Sequence, residues 1–95
     1  MTFSQKSALA LGIDIGTSGV RAVLMNSKFD VVAQSSSLMS DFGPNHRSPV
    51  VWWKSLESAL EQLRIEASEQ WSQVVGITVD GTSGTMLALN NEFEP

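Results

Sequence analysis

The 95 residues contain no cysteine. That excludes a disulfide framework and any thiolate-bound metal, and it fits a reducing compartment. There is a single histidine, His46, in a polar stretch without a His or Cys partner, so it reads as a surface residue rather than a metal ligand. Basic residues are few: six Lys and Arg stand against ten Asp and Glu, a net charge of −4. No basic cluster is present, and with it goes the electrostatic footprint of a nucleic-acid binder. Long apolar runs are also missing. The opening "MTFSQKSALALGIDIG" carries one lysine and a short apolar run that dips at Asp14. It is too short to span a bilayer and ends in a carboxylate rather than a small-residue cleavage site. The expectation is a cytoplasmic protein with neither nucleic-acid nor membrane partner. Ninety-five residues make one domain at most, near the lower limit for a self-sufficient core.

What is present is ordinary globular composition, 42% apolar and 17% charged, arranged in recognisable periods. Ala8–Ile15 is almost unbroken apolar, as in a strand covered on both faces. Its faces differ. Leu9, Leu11, Ile13 and Ile15 are bulky, whereas Ala8, Ala10, Gly12 and Asp14 are small and end in a charge. Alternate side chains point to opposite faces, so one face packs a core and the other leaves room beside Asp14. Val20–Met25 and Val31–Ser37 read as two further strands of an antiparallel meander, the last turning polar as an edge would.

Ser40–Pro49 is loop by its Pro, Gly, Asn and Ser content. Ser48 then Pro49 predicts a helix start, with Ser as N-cap and Pro at the first helical position. Trp52, Leu56, Ala59, Leu60, Leu63 and Ala67 follow at helical spacing, with Lys54, Glu57, Glu61 and Arg64 opposite. Trp52 and Trp53 are read as core and helix–sheet packing, since aromatics chiefly supply buried area. Val74–Asp80 is a further strand, parallel to the first, with Val75, Ile77 and Val79 bulky and Gly76, Thr78 and Asp80 small or polar. Met86–Leu89 begins another hairpin.

Gly-Thr-Ser-Gly occurs twice, in "GIDIGTSGVRAVLMN" (Gly12–Asn26) and "GITVDGTSGTMLALN" (Gly76–Asn90), each time after an apolar run holding one aspartate. Glycines let a backbone approach a ligand, and successive N–H groups in such a turn form a concave anion site to which Thr17 or Ser18 adds a hydroxyl. Asp14 at the strand end suits Mg²⁺, directly or through water. The bland alternative is a tight hairpin turn whose Asp caps backbone amides, and Arg21 pairs as readily with Asp14 as with a phosphate. Neither a Gly-Lys-Ser/Thr phosphate loop nor a Gly-x-Gly-x-x-Gly dinucleotide turn is present. A paired-carboxylate protease site is rejected: Asp14 lies two residues before its Gly and Asp80 directly before its own, so the copies are out of step.

These two stretches, with the Pro49, Trp52 and Trp53 helix start between them, resemble the N-terminal portion of the FGGY family of carbohydrate kinases over about residues 8–95. "VDGTSGT" looks closer to the ribulose- and xylulose-type members than to glycerol kinases. The resemblance implies an α/β chain forming part of an RNase H-like domain of the actin-like ATPase fold, with ATP, Mg²⁺ and a sugar or polyol meeting in a cleft between two domains. It implies that Asp14, Gly16 and Thr17, with Ser18 beside them, form the first phosphate loop near Mg²⁺ and the γ-phosphate, followed by Arg21. Asp80, Thr82 and Ser83 fall on the sugar side, Ser83 as the foremost hydrogen-bonding candidate. The family's usual Asp and Gly in the turns after the second and last strands are replaced by Asn26-Ser-Lys-Phe and Asn90-Asn-Glu-Phe.

The family's catalytic Asp and its adenosine loops lie downstream of such a region. The 95 residues are therefore expected to be the N-terminal part of a kinase for a ketopentose or related polyol, inactive alone, and to self-associate through a sheet edge. Two other readings stand beside it: an actin-fold ATP-binding protein that is not a kinase, and a non-catalytic truncated product.

Overall fold

The structure, a computed structural model, describes residues 8–81 and 91–92. Strands β1 (Leu9–Ile15), β2 (Gly19–Met25) and β3 (Val31–Leu38) form the expected antiparallel meander. A single 3-10 turn at Met39–Asp41 leads into the loop before helix α1 (Pro49–Glu66), and a second, at Trp71–Gln73, leads into β4 (Val74–Gly81). β4 pairs parallel with β1, giving the sheet order β3-β2-β1-β4. The crossover that a parallel pair requires is supplied by α1. The expected hairpin at Met86–Leu89 lies outside the described residues.

One face of the sheet carries the core. Leu9, Leu11 and Ile13 of β1 and Val20, Ala22 and Leu24 of β2 are buried with Val51, Ala59, Leu63 and Ala67 of the helix segment. Burying a side chain such as Leu24 or Leu63 contributes about 1.5–3 kcal/mol, which is why the apolar period decides the face. The helix lies across β2 and β3. Its buried line runs Val51, Ser55, Ala59, Leu63, four residues apart, with Trp52, Leu56 and Leu60 only partly covered. Val51 and Ser55 were not in the apolar set expected to face inward.

Ser55 is inside for a specific reason. Ser37 Oγ donates to the Ser55 carbonyl and lies against Ser55 Oγ, while Ser35 Oγ donates to the Ala59 carbonyl. All three serines are buried. Their small side chains let the helix approach β3 closely, and their hydroxyls satisfy one another and the helix backbone. Among the described residues β3 is an edge strand, as its polarity suggested, but that polarity serves a helix contact as well as solvent.

Trp52 is half-buried, and its indole Nε1 donates to the His46 carbonyl at 2.6 Å, pinning the loop before the helix. Trp53 departs from the packing role expected of it: it points outward, 63% exposed. Ser48 occupies the N-cap position without a side-chain capping bond, and its carbonyl accepts from Trp52 N instead.

Candidate functional site

The opposite face of the sheet is uncovered by α1, and there the small side chains of β1 and β4 leave a depression. It is lined by Gly12, Val23, Val31, Gln34 and Thr78 and runs up to Asp14, Arg21 and Asp80. A glycine within a strand commonly marks a close approach by a ligand or another backbone. A Cβ on Gly12 would stand 3.1 Å from Val23 Cγ2 and 3.9 Å from Thr78 Cγ2, narrowing the depression at its middle.

The charged end is set by strand register. Asp14 pairs with Arg21 across the antiparallel β1–β2 ladder and with Asp80 across the parallel β1–β4 ladder. The two aspartates, distant in sequence, thus stand on neighbouring strands at the same level and on the same face. Arg21 Nη2 lies 3.8 Å from Asp14 Oδ2, with both side chains more than half exposed. So open a pair contributes about 0.2–1 kcal/mol, and Arg21 can exchange Asp14 for another anion at small cost. Asp80 Oδ1 accepts the Gly81 amide at 3.0 Å, which fixes the carboxylate and leaves Oδ2 outside that bond. Two carboxylates with one guanidinium leave a local charge of −1 and a preference for a cation.

The turn joining β1 to β2 is held on both sides. Gly16 N donates to the Gly19 carbonyl, and Met39 N donates to the Ser18 carbonyl, each at 2.9 Å. Gly19 is pressed against β3, where a Cβ would fall 2.7 Å from the Ser37 carbonyl oxygen. Gly16 therefore spends its amide on closing the turn. Thr17 and Ser18 are exposed at its tip, and no described residue engages their amides or hydroxyls. An anion approaching the turn meets those donors first.

Asp14, Gly16, Thr17, Ser18 and Arg21 are thus gathered at one end of the sheet, with Asp80 beside them. Thr82 and Ser83 lie outside the described residues. Because β1 and β4 are parallel, Ile15 and Gly81 stand side by side at that same end. Gln34 was missed by the sequence reading: only the β2–β3 register, which sets it opposite Val23, brings it to the depression.

A hydrated divalent cation fits the oxygen donors present. Mg²⁺ is usually held by one or two carboxylates plus phosphates and water rather than by a protein cage. Among the described residues no group of three His, Cys, Asp or Glu could form such a cage. Nor is any described helix long and apolar enough to cross a membrane.

The N-terminal domain of the FGGY family of carbohydrate kinases matches residues 9–95. The xylulose kinase of Escherichia coli (strain K12) is 31% identical over 81 residues, covering 81% of this chain and 17% of that protein. The xylulose kinase of Lactococcus lactis subsp. lactis (strain IL1403) is 29% identical over 89 residues, covering 90% and 18% respectively. A solved xyloylose kinase from Brucella ovis superposes with a TM-score of 0.80 at 28% identity, over 90% of this chain and 19% of that one. A reductive activator for a corrinoid, iron-sulfur protein superposes at 0.59 with 20% identity, a likeness of fold alone. The chain spans less than a fifth of the length of each of these relatives.

Proposed function

The chain belongs to the FGGY family of carbohydrate kinases, with an α/β sheet of the actin-like, RNase H-like kind, and on that premise we propose that it supplies the first phosphate turn and part of the sugar-binding wall of an ATP-dependent sugar kinase. The observation that carries the reading is the register of β1 with β4. It sets Asp14 beside Asp80 and Ile15 beside Gly81, so the first residues of the two Gly-Thr-Ser-Gly repeats, Gly16 and Gly81, lie at the same end of the sheet.

In this reading the Thr17 and Ser18 amides and hydroxyls hold phosphate oxygens, and the turn clamped at Gly16 and Gly19 keeps those donors in place. Asp14 holds Mg²⁺ directly or through water, and Arg21 leaves Asp14 to share the phosphate charge. When bound, the metal neutralises charge on the transferring phosphoryl group, which passes to a sugar hydroxyl. Asp80, Thr82 and Ser83 offer acceptors and donors to sugar hydroxyls, each of which needs a partner once removed from water. The relatives named as xylulose kinases favour a ketopentose as substrate. In this reading none of the 95 residues is assigned to the proton of the attacking hydroxyl or to the adenosine. Phosphoryl transfer depends on positioning and electrostatic stabilisation from every side of the phosphoryl group, so these residues alone do not turn over ATP.

The test is a two-dimensional NMR titration of the isotopically labelled chain, first with Mg·ATP and then with D-xylulose, accompanied by an ATPase assay. Mg·ATP is expected to shift the amides of residues 14–19 and D-xylulose those near Asp80, with no sugar-dependent ATP turnover. Shifts from Mg·ATP but none from any ketopentose would favour an actin-fold ATP-binding protein that is not a kinase. No shift at the Gly16–Gly19 turn with millimolar Mg·ATP would refute the phosphate assignment.

A further inference from the structure

The Gly16–Gly19 turn presents Thr17 and Ser18 to solvent, but its own bonds do little to aim them. Gly16 N donates to the Gly19 carbonyl, which only closes the turn on itself. The bond that ties the turn to the rest of the fold runs from Met39 N to the Ser18 carbonyl. β3 reaches the turn through three successive residues. Val20 pairs with Ser37 and Gly19 with Leu38 in the β2–β3 ladder, and Met39 follows with its bond to Ser18. The position of residues 37–39 therefore sets where the tip of the turn stands.

Those residues are anchored in turn by the core and by α1. Met39 is 1% exposed and belongs to the core cluster. Ser37 Oγ donates to the Ser55 carbonyl and lies against the Ser55 hydroxyl, with both serines buried. Leu38, between the two anchors, is exposed. Helix, strand end and turn are thus linked in one line: Ser55, Ser37, then Gly19 and Ser18. Ser35 makes the same kind of buried bond to α1, through the Ala59 carbonyl. Its ladder partner, however, is Ala22, in the middle of β2 and away from the turn. Ser35 and Ser37 differ in place rather than in chemistry.

We propose that Ser37 and Ser55 are positioning residues for the phosphate turn, holding the Thr17 and Ser18 donors in place through the end of β3. The inference rests on the phosphate reading of that turn and adds the means by which α1, which touches no ligand there, governs its affinity. A binding constellation has to be held to within about 0.5 Å by groups that are themselves locked by packing and hydrogen bonds. Gly19 shows how closely the strand end and the turn are fitted, since a Cβ there would fall 2.7 Å from the Ser37 carbonyl oxygen. With the Ser37 hydroxyl removed, the strand end loses its bond to the helix, and the turn shifts with it.

The isotopically labelled 95-residue chain reads this in two ways. Without ligand, hydrogen exchange of the Met39 amide and the through-bond coupling between Met39 N and the Ser18 carbonyl carbon report the link between strand and turn. With Mg·ATP, the shifts of residues 14–19 give a dissociation constant. Ser37→Ala is expected to speed Met39 exchange, weaken the coupling and raise that constant by about two- to tenfold, the worth of one net hydrogen bond. Ser55→Ala keeps the Ser55 carbonyl and should act in the same direction by a smaller factor; it carries the test if Ser37→Ala does not fold. Ser35→Ala removes an equivalent buried bond and should lower the urea midpoint about as much, yet leave the coupling and the dissociation constant unchanged. Equal effects of Ser35→Ala and Ser37→Ala on the turn would overturn the proposal. So would a folded Ser37→Ala with the Met39–Ser18 coupling intact. If the unsubstituted chain shows no shift with Mg·ATP, the phosphate reading fails, and the coupling without ligand still decides whether the two serines position the turn.

Discussion

Gly19 and Gly76 lie in strands of the same sheet, yet alanine at the two positions should move stability in opposite directions. At Gly19 a Cβ would fall 2.7 Å from the Ser37 carbonyl oxygen, 3.7 Å from its carbon and 3.8 Å from Leu38 Cα. All three are backbone atoms of β3, so no flexible side chain can move aside. The β2–β3 ladder must open by several tenths of an ångström, and overpacking of that kind costs about 1–3 kcal/mol. Restricting the unfolded chain by replacing glycine returns about 0.4–1 kcal/mol. The net expectation for Gly19→Ala is a loss of about 1–2 kcal/mol. In a domain of this size that lowers the melting temperature by about 4–16 °C. At Gly76 an added Cβ meets nothing within 4 Å, so only the unfolded-state effect operates. Gly76→Ala should gain about 0.4–1 kcal/mol, a rise of about 2–8 °C. Thermal unfolding followed by far-UV circular dichroism, with urea midpoints as a second measure, reads both. A neutral Gly19→Ala would refute the close approach of the Gly16–Gly19 turn to β3. A Gly76→Ala as damaging as Gly19→Ala would refute the steric distinction itself.

The remaining predictions concern the β2–β3 turn and the helix surface. Phe29 has φ of 64° and is 84% exposed, a left-handed conformation that costs a residue with a bulky Cβ about 1–2 kcal/mol. Phe29→Asn should stabilise the chain by about 1 kcal/mol while the Phe29 N–Asn26 O bond persists; an unchanged urea midpoint would refute it. On α1, Arg64 donates two hydrogen bonds to Glu61, which hold the Glu61 carboxyl below its ordinary value. Because the folded pKa is lowered, the pair supports the fold above the ordinary Glu range and ceases to do so as pH falls through the lowered value. Arg64→Gln should move the Glu61 titration, followed by carboxyl-carbon NMR, back upward, and no movement would deny the pairing.

Much of the fold was legible in the sequence because period and punctuation agree there. The bulky face of β1, the Ser48-Pro49 helix start and the alternation in β4 each follow from local residue choice, and each element lies where expected to within a residue or two. Ser55 was not legible, since a serine on a helix reads as solvent-facing until Ser37 and the Ala59 carbonyl of the same seam are known to meet it. Trp53 failed in the opposite sense: an aromatic beside a half-buried one is expected inside, but α1 turns it away from the sheet.

The site divides along the same line. By itself the sequence determined its parts, namely the repeated Gly-Thr-Ser-Gly turns, the strand-end aspartates and Arg21, because local steric freedom and charge are properties of the residues. Only the tertiary structure decided which parts are neighbours. Asp14 stands beside Asp80, and Gln34 enters the depression, because inter-strand hydrogen bonding allows discrete registers and the burial of one apolar face selects among them. The exposed row on β4 is a tertiary outcome too. Val75, Ile77 and Val79 carry the same apolar alternation as β1, but the position of α1 over β2 and β3 covers one strand and leaves the other open.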